Sequence, residues 1–305
     1  MNLELTADRL KLLHLWVLTP CAGGVMTVPY QNSVDQLSAT CRRIGLACNL
    51  VRLPNDSAIA RARNNLADIF MAESSDPENH YSLWIDADIQ FTAEDILALI
   101  AIDRDVTAIP YSRKGIHWGR VAAAARLNWP DAKIAQVAGD PNCNWLVHPI
   151  RLNEPMPIQE AGNGGLLVKR KVYQQLQSAY PRSRYRRTND ETACYGNRRH
   201  AWAYFQEAID DWDQLPDDQR EFLTEDWWFC RHWLRMGGTI WGCFWMKTNH
   251  YGPYHYPLDM PAISDLLAAT GGSLQETYVN VNRSGTAENQ RSGQTEVAES
   301  ETATR

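Results

Sequence analysis

Apolar and polar positions alternate along the first 111 residues in a way that predicts strands and helices in turn. Apolar residues at helical spacing favour helices over 28–44, about 58–72 and 92–102, and short apolar runs between them favour strands. The predicted strands are Lys11–Leu18, Cys48–Leu53, the run that begins at Tyr81, and Asp105–Tyr111. Because strands that alternate with helices form βαβ units, this region predicts an α/β fold with a mostly parallel central sheet flanked by helices.

The second half of the chain carries a weaker pattern. Residues 113–157 contain five prolines and predict a connector. Residues 157–169 predict a strand, a glycine loop and a second strand, and 224–236 predict a helix that starts at Thr224. Further predictions are a strand over 239–246, His250 on a loop and a short helix over 261–269. Residues 271–305 are polar without an apolar period, which predicts a disordered tail.

Composition narrows the class of protein. The 305 residues are 44% hydrophobic, which is enough for a sizeable core. The net charge of -6 provides no overall basic field for nucleic acid. Seven cysteines without a C-x-x-C pair favour a reducing compartment over a disulfide framework or a zinc site. No apolar run reaches the roughly 18 residues of a membrane span, and the first residues do not resemble a signal peptide, so a cytoplasmic protein is expected.

The strand that begins at Tyr81 ends in Asp86 and Asp88, two carboxylates spaced two residues apart. Residues two apart on a strand point to the same side, and open parallel sheets bind ligands at the carboxyl ends of their strands. Paired carboxylates there suit Mg²⁺ or Mn²⁺, which can hold a diphosphate. A solvated loop is the plain alternative for so short a motif. The glycine-rich dinucleotide fingerprint is absent, since Gly23 and Gly24 lack the remaining glycines.

Two stretches of like charge follow. The segment from Lys169 to His200 holds nine lysines and arginines against two acids, with four tyrosines between them. Such a segment can follow a phosphate backbone and stack on bases, or it can be a solvated loop around a helix. Residues 207–226 hold nine acids and one arginine, and end in Glu225 and Asp226 at a predicted helix start. Acids there complement the helix dipole and can also include a catalytic carboxylate.

Seven short stretches, in order, resemble the GT-A fold glycosyltransferases, and most closely the small metal-dependent transferases of bacteriophage and bacterial genomes. They cover about residues 11 to 256 and are Thr19–Cys21, Asp56–Asn64, Leu83–Ile89, Tyr111–Lys114, Ala161–Arg170, Glu225–Arg231 and His250–Gly252. The chain departs from the family pattern at Ser112, where a proline is usual. The resemblance implies one GT-A domain, a Rossmann-like nucleotide-diphospho-sugar transferase fold, over 1–270. Its nucleotide-sugar-binding half is 11–111, and its acceptor-binding and catalytic half is 112–270.

The resemblance also implies roles for individual residues in a reaction that uses a UDP-sugar and Mn²⁺ or Mg²⁺. The metal ligands would be Asp86, Asp88 and His250, and the catalytic base Asp226 or, as the second choice, Glu225. The donor-binding residues would be Thr19, Pro20, Arg63, Asn64, Asp86, Ala87, Gly164 and Gly165. A single carboxylate placed across the anomeric carbon from the leaving group would activate the acceptor hydroxyl and give inversion.

The acceptor stays open at this point. The basic segment from Lys169 to His200 and the phage-like resemblance make a hydroxymethylated pyrimidine base in phage DNA one candidate. A glycan, a lipid-linked acceptor or a protein acceptor is the alternative within the same activity. A non-catalytic nucleotide-sugar or nucleic-acid binding module is the alternative of another class. A nucleotidyltransferase would also pair aspartates on a strand, but it would need further acids or a glycine-rich phosphate loop.

Overall fold

Strands and helices follow each other along most of the chain. The structure, a computed structural model, describes residues 5–145, 150–188, 195–210 and 216–253. The helices in these ranges are α1 (Ala7–Leu12), α2 (Val28–Ile44), α3 (Ile59–Glu73), α4 (Ala93–Ile102), α5 (Trp118–Arg126), α6 (Asp131–Ala135), α7 (Arg170–Ala179) and α8 (Glu225–Arg235). The predicted helix over 261–269 and the predicted tail over 271–305 lie outside the described residues.

The strands were located in the same ranges. They are β1 (His14–Cys21), β2 (Ala47–Pro54), β3 (His80–Ile85), β4 (Ile89–Gln90), β5 (Val106–Ala108), β6 (Cys143–Trp145), β7 (Met156–Ala161), β8 (Gly165–Lys169), β9 (Arg184–Arg186), β10 (His200–Trp202), β11 (Ala208–Ile209), β12 (Phe222–Leu223), β13 (Ile240–Gly242) and β14 (Asn249–His250). Three short pairs, β9 with β10, β11 with β12 and β4 with β14, stand apart from the main sheet.

Eight strands form the central sheet in the order β2-β1-β3-β8-β5-β13-β7-β6. The pairs β1–β2, β1–β3 and β5–β13 are parallel, and β7 and β8 run opposite to the other six strands. The predicted fold class, an α/β fold with a mostly parallel central sheet flanked by helices, is confirmed. The carboxyl ends of β1, β2 and β3 meet at one edge, where Cys21 lies opposite Pro54. β8 begins at that edge, since Gly165 pairs with Ile85.

Both faces of the sheet are covered, which explains why its central strands are apolar on both sides. Leu15 and Val17 of β1 pack on one face in a core with residues of α2 and α4. Trp16 and Leu18 point to the other face, in a core with residues of α3, α7 and α8. All four side chains are at most 1% exposed. This packing fixes β1 and β3 rigidly, so the turns at their carboxyl ends start from a defined position.

Local signals place the helices as predicted where caps and apolar stripes agree. The Thr27 hydroxyl accepts the Tyr30 N–H at the start of α2, and Gly45 ends that helix with φ near 78°. The Thr92 hydroxyl accepts the Asp95 N–H at the start of α4. The predicted start of α8 after Thr224 is also confirmed.

Several predicted elements were wrong in extent or missed. The apolar run over 11–18 combines the end of α1, capped by Thr6, with the start of β1 at His14. The connector predicted over 113–157 contains α5, α6 and β6. The alanines of α5 favour helix, but they are small and only Ala124 is buried. The sequence of α5 therefore has no stripe of large apolar residues that would mark a helix. The strands predicted over 105–111 and 239–246 shorten to three residues each. His250 lies on β14, which pairs with β4, and not on a loop.

None of the helices in the described part of the chain has the length and apolarity required to cross a bilayer.

Candidate active site

Asp86, Ala87 and Asp88 form a turn directly after β3, at the edge where β1 and β2 also end. The Ile89 N–H closes the turn by donating to the Asp86 carbonyl at 3.1 Å. Backbone bonds hold it from both sides, because the carbonyls of Ala87 and Asp88 accept the N–H groups of Thr27 and Tyr251 at 2.9 and 2.8 Å. The two aspartates therefore do not sit on a strand, as the spacing argument assumed. Their carboxylates pair with different partners.

Asp86 belongs to a buried ion-pair network centred on Arg63 of α3. The Arg63 guanidinium donates from Nη2 to Asp86 Oδ1 at 2.9 Å and from Nε to Glu225 Oε1 at 3.0 Å. Arg63 is only 4% exposed. Burial alone would lower the pKa of Arg63, but the charges of Asp86 and Glu225 outweigh it and raise the pKa. One arginine thus fixes two of the predicted acids, which are 139 residues apart in the chain (225 minus 86).

Glu225 and Asp226 open α8 but lie in different environments. Glu225 is 7% exposed, and burial raises the pKa of its carboxyl although Arg63 opposes this. Asp226 is half-buried, and its Oδ1 accepts hydrogen bonds from the Thr224 hydroxyl and, at 2.9 Å, from the Trp227 N–H. Its charge acts on both Arg63 and Tyr111. Glu225 is therefore ion-paired to Arg63. Both hydrogen bonds to Asp226 end on Oδ1, so within the described residues its Oδ2 can accept a bond from a substrate.

Asp88 pairs instead with His250 and Lys114. His250 Nε2 lies 3.2 Å from Asp88 Oδ1, and Lys114 Nζ lies 2.5 Å from Asp88 Oδ2. The other ring nitrogen of His250, Nδ1, donates to the Ser112 carbonyl at 2.6 Å. Burial would raise the pKa of Asp88, but the hydrogen bonds from His250 and Lys114 lower it. Burial would lower the pKa of His250, but its bonds to Asp88 and Ser112 raise it.

This pair fits a divalent cation in part. A carbonyl on Nδ1 leaves Nε2 aimed at the site, which is the usual arrangement of a metal-binding histidine. Within the residues that the structure describes, no group of three His, Cys, Asp or Glu side chains is placed to hold a metal. The predicted three-ligand set with Asp86 is thus not formed, because Asp86 faces Arg63. Mg²⁺ is commonly held by one or two carboxylates plus substrate phosphates, so Asp88 and His250 suit a cation that arrives with a diphosphate.

Glycines let the loop before β8 approach this site closely. A β-carbon on Gly164 would lie 2.5 Å from Ile89 Cδ1, 2.7 Å from Tyr111 Cζ and 3.0 Å from Asp86 Oδ2. A β-carbon on Gly165 would lie 2.7 Å from the Ile109 carbonyl. The loop glycines are therefore needed for close approach to neighbouring groups, and neither has a positive φ. Gly164 thus lies beside Asp86.

Tyr111 is a site residue to which sequence reasoning gave no role. Its hydroxyl accepts the Gly164 N–H at 3.3 Å and the Asn142 side-chain N–H at 2.7 Å. Burial, reinforced by the negative charges of Asp86 and Asp226, raises the pKa of Tyr111. A single tyrosine shortly after a three-residue strand carries no distinctive pattern in the sequence. Lys114 lies in the matched stretch Tyr111–Lys114 and contacts Asp88, but the resemblance implied no role for it.

Three of the predicted donor residues serve the fold in this structure. The buried Thr19 hydroxyl bonds to the Tyr30 hydroxyl at 2.7 Å. The Asn64 side-chain amide makes two hydrogen bonds to the Phe205 backbone. It donates to the Phe205 carbonyl at 2.7 Å and accepts the Phe205 N–H at 3.0 Å. Pro20 is buried within β1. The structure therefore brings Arg63, Asp86 and Gly164 together, with Ala87 and Asp88 in the adjoining turn, but directs the Asn64 side chain elsewhere.

Comparisons with known proteins find only distant similarity. No protein-family model and no curated protein matches the chain. Among solved structures, A197 from STIV is 12% identical with a TM-score of 0.42, over 79% of this chain and 87% of that chain. GalNAc-T7, solved with UDP, GalNAc and Mn²⁺, is 10% identical with a TM-score of 0.34, over 78% of this chain and 44% of that chain. These comparisons assign no family.

Proposed function

We propose that the chain is a metal-dependent glycosyltransferase of the GT-A type, which moves a sugar from a UDP-sugar to an acceptor hydroxyl with inversion. The observation that supports this most is the separation of acids at one sheet edge. Asp88 Oδ1 lies 3.2 Å from His250 Nε2. Arg63 bonds to Glu225 and not to the neighbouring Asp226. The first pair suits a cation with its diphosphate, and Asp226 suits a general base.

The reaction follows from these positions. The acceptor oxygen attacks the anomeric carbon and forms the new C–O bond, while the bond from that carbon to the diphosphate breaks. Asp226 accepts the proton that the acceptor hydroxyl loses, because a neutral hydroxyl is a poor nucleophile. When bound at Asp88 and His250, Mn²⁺ or Mg²⁺ would neutralise negative charge on the leaving diphosphate. Attack from the side opposite the leaving group inverts the anomeric centre.

Arg63 and Gly164 contribute position. Arg63 holds Asp86 and Glu225 at fixed distances, so the turn after β3 and the start of α8 keep one relative placement. The absence of a side chain at Gly164 keeps the space beside Asp86 free. Pre-organised charges of this kind cost no reorganisation during the reaction. We propose that Asp86 contacts the ribose and that Gly164 and Gly165 line the sugar and acceptor side.

The experiment that tests the donor half is UDP release from a panel of UDP-sugars, with and without Mn²⁺. We expect metal-dependent release by the wild type and its loss in Asp88→Asn and in His250→Ala. Asp131→Asn serves as a matched control, because Asp131 is an exposed aspartate in α6. Metal-independent release, or full release by Asp88→Asn, would contradict the assignment.

The acceptor half is tested by adding acceptors to the same assay. Hydroxymethylated DNA, glycans, lipid-linked sugars and proteins are compared by the increase in UDP release that each gives. Tight nucleotide binding without release in the presence of any acceptor would instead indicate a non-catalytic binding module. That result would contradict the catalytic role of Asp226, while leaving the donor-binding residues in place.

A further inference from the structure

A two-stranded arm, formed by β9 and β10, projects basic side chains next to α3. Its register pairs Arg186 with His200 and Arg184 with Trp202. Residues that pair across an antiparallel ribbon share a face, and so do residues two apart on one strand. Arg184, Arg186 and His200 therefore share one face of the arm, and all three are exposed. The opposite face carries the fully buried Ala201.

Two other arginines fix the arm to the body of the protein. Arg187 is 3% exposed and donates from Nη2 to Asp68 Oδ2 at 3.0 Å and to Asn65 Oδ1 at 3.1 Å. Arg198 donates from Nε to the same Asp68 oxygen at 2.8 Å. Asn65 and Asp68 both lie on α3. The arm is thus held on α3 by partly buried charge pairs, and its outer face keeps a defined orientation.

The basic segment therefore divides into paired and unpaired charges. Lys169, for example, is 5% exposed in its side chain and pairs with Asp103 at 2.8 Å. In contrast, four exposed arginines of the arm and its flanks make no ion pair within the part of the chain that the structure describes. They are Arg182, Arg184, Arg186 and Arg199. Like charges on neighbouring strands repel each other, so these arginines do not stabilise the arm. They form a local basic patch on a chain whose net charge is -6.

The arm also forms one wall of a cleft. The cleft has a volume of about 740 Å³, within the usual range for ligand sites. Its lining includes Arg182, Tyr185, the acidic Glu207, and Arg61, which is ion-paired to Asp56 at 2.7 Å. Its opposite wall is the first turn of α3, together with Asn64 and Phe205, which are bonded to each other. Asn64 follows Arg63 in α3, so the same helix contributes a lining residue of the cleft and the central arginine of the ion-pair network.

We propose that the arm and its cleft bind the sugar–phosphate backbone of a nucleic-acid strand, which is the acceptor of the transferase. Guanidinium groups bind phosphate through paired hydrogen bonds. No large apolar side chain is exposed on the described residues of the arm, which disfavours insertion into a lipid surface. The acceptor role of the strand rests on the proposed function, whereas the binding of a strand to this surface does not.

The test measures nucleic-acid binding without a nucleotide sugar and with a metal chelator present. Labelled single-stranded and duplex DNA are titrated with the wild type and with the triple variant Arg184→Ala, Arg186→Ala, Arg199→Ala. The matched control replaces three other exposed arginines, Arg42, Arg43 and Arg126, by alanine. Three phosphate contacts on a single strand predict that affinity falls about 20-fold between about 50 and 200 mM salt. We expect the triple variant to lose most of this salt dependence and at least about tenfold in affinity, and the control to lose neither.

Melting curves of both variants establish that they are folded, since all six side chains are exposed. Equal binding by wild type and triple variant, or no binding by the wild type at low salt, would overturn the proposal. Equal preference for heparin or anionic vesicles would also overturn it, because the surface would then recognise negative charge in general. UDP release distinguishes the two proposals. DNA binding without any release contradicts the transferase, whereas release without DNA binding contradicts only the nucleic-acid acceptor.

Discussion

The two acids at the start of α8 should respond in opposite ways to loss of charge. Replacing Glu225 by Gln leaves Arg63, which is 4% exposed, with Asp86 as its remaining ionised partner. Removing one partner from a buried ion pair costs about 3–5 kcal/mol. Glutamine still offers an oxygen at the same position, so we expect the lower end, about 3 kcal/mol. At about 2–4 °C per kcal/mol, the melting temperature should fall by roughly 6–12 °C.

Replacing Asp226 by Asn should leave stability nearly unchanged. The amide oxygen can still accept the Thr224 hydroxyl and the Trp227 N–H, and the side chain is half-buried. We expect a change in unfolding free energy of less than about 1 kcal/mol. Transfer should fall by about 10²–10⁴-fold, because amides do not accept the acceptor proton at neutral pH. Donor binding, measured by calorimetry with UDP and Mn²⁺, should be retained.

Thermal melting and acceptor-dependent UDP release, measured on the same preparations, decide between these roles. Glu94→Gln is the matched control, since Glu94 is an exposed glutamate in the first turn of α4 and tests the helix-dipole contribution alone. Full transfer by Asp226→Asn would refute the assignment of the base. A Glu225→Gln variant with wild-type melting but no transfer would show that the buried glutamate, and not Asp226, acts on the substrate.

Three further predictions concern neighbouring positions. Lys114→Met should tighten Mn²⁺ binding about two- to fivefold, measured by electron paramagnetic resonance, because the lysine competes for Asp88; weaker binding would show that the lysine supports the cation. Gly164→Ala should cost about 1–3 kcal/mol in urea unfolding and lower UDP release, whereas Gly115→Ala, which has open space around it, should change neither. Burial would raise the pKa of Asp103, but hydrogen bonds from Lys169 and Tyr81 lower it below the ordinary value of 3.8. Its contribution is present above that value and is lost as pH falls through the folded-state pKa. The urea midpoints of wild type and Asp103→Asn should therefore converge between about pH 7 and pH 3, and a constant difference would contradict this.

Much of the fold could be predicted because local and long-range signals agree in it. α2 has a threonine cap, an apolar stripe and a glycine stop, and all three point to the same helix. The central strand β3 is a continuous apolar run with a sharp polar end. α5 could not be found in this way, since its alanines pack little and leave no stripe. Short strands such as β13 are defined by their neighbours in the sheet and not by their own residues.

The sequence pointed to several residues that contact one another in the candidate site, but not to the way in which they pair. A polar end after a buried strand pointed to Asp86 and Asp88, and the order of the matched stretches pointed to His250 and Asp226. The sequence contains no sign that Arg63 joins Asp86 to Glu225, because that contact spans 162 positions of the chain. Contacts of this length depend on how α3 and α8 pack on the same face of the sheet. The separate pairing of the two turn aspartates follows from that packing.

The ion pairs and hydrogen bonds of α3 have a consequence for how this protein can be divided or recombined. β8 lies between β3 and β5, so a strand from the second part of the sequence sits inside the sheet of the first. Arg63 and Asn64, adjacent on α3, reach residues 162 and 141 positions later. A fragment that ends near residue 111 would leave Arg63 with Asp86 as its one acidic partner and would remove the Phe205 partner of the Asn64 amide. A carboxyl-terminal segment therefore cannot be exchanged alone, and a chimaera would have to carry the matching residues of α3 with it.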